Sequence, residues 1–101
     1  MDIKILEELQ KVQPEDIIRL KDKMLNNSIF LELEVIEFAR LGNIGTTNWQ
    51  IEAKVTRGDY VGSIRKLDKS YWEKKADDDA IEIEIVKNTS SSSNDVPSER
   101  D

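Results

Sequence analysis

The stretch Ile29-Phe30-Leu31-Glu32-Leu33-Glu34-Val35-Ile36-Glu37-Phe38-Ala39-Arg40 decides the fold class. Ile29, Leu31, Leu33 and Val35 alternate with Phe30, Glu32 and Glu34, a two-residue period that sets one face of a strand toward a core and the other toward water. Ile36 and Phe38 continue on the opposite parity, which predicts a bulge near Val35 and Ile36, or cover on both faces there. A helix over 29–41 ending at Gly42 is the competing reading. It is set aside because Glu32, Glu34, Glu37 and Arg40 would spread around its circumference instead of sharing one side.

Downstream, Gly42-Asn43-Ile44-Gly45 reads as a turn, and Trp49, Ile51, Ala53 and Val55 alternate with Gln50, Glu52 and Lys54 in a returning strand. Arg57-Gly58-Asp59 supplies a second turn before a weaker strand over 60–67, in which Gly62 marks a bulge or a close approach. The polar run from Asp68 to Asp79 has room for a single helical turn under Tyr71 and Trp72. Ile81, Ile83 and Ile85, alternating with Glu82 and Glu84, are the cleanest strand signal in the chain.

Upstream, Ile5, Leu6, Leu9 and Val12 recur at helical spacing, with Asp2 as N-cap. Pro14 suits the first turn of a second helix, with Glu15 and Asp16 complementing its dipole. That helix is expected to run to about Leu25 with Ile17, Ile18, Leu20, Met24 and Leu25 on one face, and Asn26-Asn27-Ser28 supply its left-handed stop. The fold class is therefore α+β: an N-terminal helical pair packed on one face of an antiparallel sheet of about four strands. Residues 1–87 make one domain. Residues 88–101 hold a single apolar residue, Val96, and are expected to be a disordered tail, dispensable for folding.

Composition narrows the chemistry. The 101 residues contain neither Cys nor His, which removes disulfides, thiolate and imidazole metal sites, Cys nucleophiles and every His-dependent triad. Catalysis would have to rest on carboxylate, Lys or Tyr chemistry in a deep pocket, and so small a domain leaves little volume for one. The expectation is a non-enzyme with no cofactor and no metal. The net charge of −6 is unevenly spread, with −3 over residues 1–43, +3 over 44–76 and −6 over 77–101. Global acidity of this size opposes binding to nucleic acid and to anionic membranes. Charged residues interrupt the first dozen positions and no apolar run approaches the roughly 20 residues that span a bilayer. A soluble, cytoplasmic protein is expected.

Two constellations are candidates for function. Glu32 and Glu34 share one strand face, as do Glu82 and Glu84, and together they would form an acidic patch that docks a basic partner. Trp49, Tyr60, Arg65 and Lys66, within the aromatic and basic segment 49–75, would instead form a platform for single-stranded nucleic acid. Asp77-Asp78-Asp79 lacks the spacing of a cation loop and reads as a turn. Arg57-Gly58-Asp59 and Asn88-Thr89-Ser90 match adhesion and glycosylation patterns that an intracellular chain would not use. Ser92 and Ser98, each with Asp three residues on, offer kinase contexts. The preferred function is a small acidic protein-binding module, an inhibitor, adaptor or accessory subunit docking on a larger basic partner, with single-stranded nucleic-acid binding as the alternative. If Ile81 to Ile85 form an edge strand, pairing with a second copy or with a partner's strand is a further expectation.

Overall fold

The computed structural model describes residues 3–42 and 48–88. In chain order the elements are helix α1 (Ile3–Leu9), strand β1 (Ile17–Asp22), a single 3-10 turn (Lys23–Leu25), strands β2 (Ser28–Arg40), β3 (Trp49–Arg57) and β4 (Ile64–Asp68), helix α2 (Lys69–Ala76) and strand β5 (Ile81–Val86). The five strands form one antiparallel sheet in the order β4-β3-β2-β1-β5. The architecture is α+β, with five strands rather than four. No helix among the described residues is long and apolar enough to cross a membrane.

The expected second helix is a strand and a 3-10 turn instead. Asp16 N–H donates to Gln13 O at 3.1 Å, with Pro14 next and Glu15 at φ +75°. That is a type II turn, whose first central position accepts the fixed φ of proline as readily as a helix N-terminus does. Ile18 and Leu20 then point to the core while Ile17, Arg19 and Lys21 point away. Met24 and Leu25, needed for the helical face, are exposed at 77% and 64%. Asn26 and Asn27 do take the left-handed conformation, closing the β1–β2 hairpin instead of a helix.

The strands read from alternation are present. Ile18, Leu20, Leu31, Leu33, Val35, Ile51, Ala53 and Val55 make the buried face of the sheet. The register between β2 and β3 shifts between Val35 and Glu37, which is the expected bulge. Val35 N–H donates to Asp16 O and Glu15 N–H to Val35 O, both at 2.8 Å, so the turn before β1 is pinned to the bulge. Gly58 sits in the turn after β3 at φ +116°, and a Cβ there would lie 2.7 Å from Phe30 O. Gly62, expected at a bulge or a close approach, has φ +94° and open space around it, so the turn backbone is what it serves. The turn expected at 42–45 falls, from residue 43, outside the described residues, as do the N-cap expected of Asp2 and the tail from residue 89.

The polar segment after β4 forms two helical turns, more than expected, capped by Asp68, whose side chain accepts from Tyr71 N–H. β4 and β5 lie at opposite edges and run in the same direction, so their connection must cross the sheet. α2 makes that crossing. Its Trp72 is fully buried and donates its indole N–H to Leu67 O at 3.2 Å. Leu6, Leu9 and Val12 join the same core from the other end of the chain. The helical pair therefore exists in space but is drawn from both ends of the sequence. The Asp77-Asp78-Asp79 run closes α2 and makes the turn into β5, with Asp78 accepting from Ala80 N–H at 2.9 Å.

The end of β5 is fastened by a buried carboxylate. Asp16, 3% exposed, accepts from Gln13 N–H at 2.9 Å, Lys87 Nζ at 2.8 Å and Asn88 N–H at 2.9 Å. Asn88, assigned from sequence to the tail, thus belongs to the folded unit.

Candidate functional site

With α1 and α2 on one face, no element among the described residues covers the opposite face of the sheet. The side chains on it follow from strand parity: Ile17, Arg19 and Lys21 on β1, Glu32 and Glu34 on β2, Gln50, Glu52, Lys54 and Thr56 on β3, Ile64 and Lys66 on β4, and Glu82 and Glu84 on β5. All four carboxylates singled out from sequence lie here. Their strands are not neighbours, however, because β1 runs between β2 and β5 and contributes two cations to the middle of the patch.

Those cations divide the patch into paired and unpaired acids. Arg19 stands opposite Glu32 on one side and Glu84 on the other. Its Nε donates to Glu32 Oε2 at 2.8 Å and its Nη1 lies 3.6 Å from Glu84 Oε1, which Lys21 Nζ approaches to 3.0 Å. The Thr56 hydroxyl adds a donor to Glu32 Oε1 at 3.0 Å. The Arg19 hydrogen bond, aided by Thr56, outweighs partial burial and holds Glu32 below the ordinary carboxylate range. Lys21, with Arg19, does the same for Glu84. Bonding to Glu32 in turn raises Arg19. Glu34 stands opposite Lys54 and Ile17, and Glu82 opposite Lys21, but neither makes an ion pair among the described residues. Four carboxylates against Arg19, Lys21 and the facing Lys54 leave this part of the face negative by one charge.

The nucleic-acid constellation is not assembled on one surface. Trp49 is 1% exposed and packs on Phe38 with ring centroids 5.6 Å apart, so it presents no face to a base. Tyr60, at φ +62°, is exposed in the turn after β3. Arg65 reaches the same turn, donating to Asp59 O at 3.4 Å. Lys66 lies on the outer face opposite Glu52. Tyr60 and Trp49 thus sit at opposite ends of the sheet, one in water and one in the core.

Two features were missed from sequence. One is the Arg19 and Lys21 row, invisible once 17–25 is read as a helix, although the alternation of Arg19 and Lys21 with Ile18 and Leu20 is its signal. The other is a recess of about 430 Å³ along the free edge of β5, between that strand, α1 and the end of α2. No family model, curated protein or solved structure matched the chain when it was compared with each.

Proposed function

We propose that this chain is a small acidic protein-binding module, without catalysis of its own, that sets the uncovered face of its sheet against a larger basic partner. The observation that carries the reading is the arrangement of that face: Glu32, Glu34, Glu82 and Glu84 lie on one side of three neighbouring strands, offset only in part by Arg19 and Lys21 between them and by Lys54 opposite Glu34. Partly neutralised acids held by fixed cations are ordered in advance, which favours recognition of a partner's charges. The direction of the titration shifts also makes these carboxyls poor general acids. Asp16, Glu32 and Glu84 are all held in the charged form by donors, whereas a carboxyl serving as general acid at neutral pH must be shifted upward.

The test is a quantitative comparison of the proteins retained from host lysate by the wild-type chain and by the Glu32→Gln, Glu34→Gln, Glu82→Gln, Glu84→Gln quadruple variant. A partner held by the wild type, released by added salt and lost from the variant is the expected result. A partner retained equally by both rejects the face.

A further inference from the structure

We propose that the free edge of β5 receives an extended segment of a partner protein, one in which Lys or Arg alternates with aliphatic residues, as a sixth strand of the sheet. This rests on the protein-binding reading above and names its contact. The backbone is presented for it. Lys23 N–H donates to Ala80 O at 2.8 Å, and pairing continues without a register shift from Asp22 opposite Ile81 to Ile17 opposite Val86. By the alternation of an antiparallel ladder, Ile81, Ile83 and Ile85 turn their N–H and C=O groups away from β1 toward the open edge. Asp78 O takes the Ile81 N–H at 3.1 Å. The outward groups of Ile83 and Ile85 have no backbone partner among the described residues.

The two edges of the sheet differ in protection. β4 is five residues long and turns Arg65 toward the helix side, an inward charge of the kind that discourages pairing. β5 is regular, carries no proline and sends three isoleucines inward, all of them only half-buried because no described residue closes the edge beside them. Below that edge the 430 Å³ recess is floored by Ile5, Ala76, Ile81 and Ile83. A second recess of about 270 Å³ lies beside Ile85, between Glu8, Lys11 and Lys87. Alternate aliphatic side chains of an added strand would drop into these two spaces.

Charge selects the occupant. Asp78, Asp79 and Glu82 rim the larger recess against one cation, Lys23. Glu82 and Glu84 fall at the positions of the new pair that exchange no hydrogen bonds, where side chains on facing strands approach most closely. Glu82 is exposed and has no ion pair among the described residues, so a Lys or Arg opposite it gains a partner. A second copy of the chain fits poorly: every antiparallel register that pairs Ile83 with an isoleucine of the other copy sets a glutamate opposite a glutamate. The chain's own residues 89–101, with three acids, one Arg and one apolar residue, do not have the required alternation either.

The experiment uses the full chain, uniformly nitrogen-15 labelled, with a blocked eight-residue peptide of alternating valine and lysine, and the same peptide with glutamate in place of lysine. The lysine peptide is expected to slow amide exchange at Ile83 and Ile85 by about tenfold or more at saturation, the glutamate peptide to leave it unchanged, and Glu82→Lys to weaken the lysine peptide several-fold. Unchanged exchange at Ile83 and Ile85 overturns the proposal. So do equal effects of the two peptides, an unaltered affinity in Glu82→Lys, or protection that rises with protein concentration alone. Peptide-induced shifts confined to Glu32 and Glu34, without protection of the edge, overturn the edge site while leaving the sheet face as the docking surface.

Discussion

Replacing Asp16 by Asn keeps the shape of the side chain and removes its charge, which isolates what the buried clasp contributes. Asp16 accepts three hydrogen bonds, from Gln13 N–H, Lys87 Nζ and Asn88 N–H, through two oxygens. The amide has one oxygen, so one of these donors faces an NH₂ group and the others lose their ionic component. Bonds to a charged group contribute about 1.5–3 kcal/mol each and neutral ones about 1, while recovered desolvation offsets part of the loss. A net destabilisation of about 2–3 kcal/mol at pH 7 follows, a large share of the roughly 5–15 kcal/mol typical of a domain. Burial alone would raise the Asp16 pKa, but the Asn88 N–H, the Lys87 ammonium and the Gln13 N–H outweigh it and hold it below its ordinary value of 3.8. With the folded pKa depressed, the clasp contributes fully above the unfolded value and is lost as pH falls through the folded one. The gap between wild type and variant should therefore shrink when both are unfolded in urea at pH 3 rather than pH 7, followed by the fluorescence of the buried Trp49 and Trp72. A chain ending at Val86 lacks two of the three donors, and Asp16→Asn should add little in that background. Equal urea midpoints at pH 7, or a gap that does not change with pH, refute the clasp.

Two further outcomes are expected. Gly58→Ala should cost about 2–3 kcal/mol, because a Cβ meets Phe30 O at 2.7 Å and the backbone is held at φ +116°, whereas Gly62→Ala, with space around it, should cost about 1; similar urea midpoints for the two variants would show that the close approach is unimportant. Titration of single-stranded DNA and RNA at low salt should give no saturable tryptophan quenching, since both tryptophans are buried and the chain carries a net charge of −6; salt-sensitive saturation at micromolar concentrations would contradict this.

Sequence alone disclosed the strands in which one face is wet. Leu31, Leu33 and Val35, Ile51 and Val55, and Ile81 to Ile85 each alternate with charged residues, and each is a strand with that face inward. The slip at Ile36 was legible for the same reason. β1 was not, because Ile17 adds an apolar residue to the wet face and Met24 and Leu25 extend the run, so five apolar positions mimic a helical stripe while Pro14 fits a turn and a helix start equally well. Strand order was hidden as well. Nothing local tells that the strand carrying Glu82 and Glu84 is laid beside β1, and hence that Arg19 would sit between Glu32 and Glu84. Asp16 was read only as a helix-start acid, since its partners Lys87 and Asn88 are more than 70 positions away.

The crossing of α2 from one edge of the sheet to the other imposes an order on folding. β1 to β4 are joined by successive hairpins and can pair as soon as they leave the ribosome, whereas β5 must wait for the connection through α2 and the turn after it, residues 69–80, to span about 19 Å of sheet, four strand spacings, before it reaches β1. Until then β1 is itself a bare edge, and Ile17, Ile18 and Leu20 are open to misassociation. The six residues of β5 therefore act as a stopper, and any lesion that delays them, in α2 or in the Asp16 clasp, should show first as loss of soluble yield and only afterwards as a lower melting temperature.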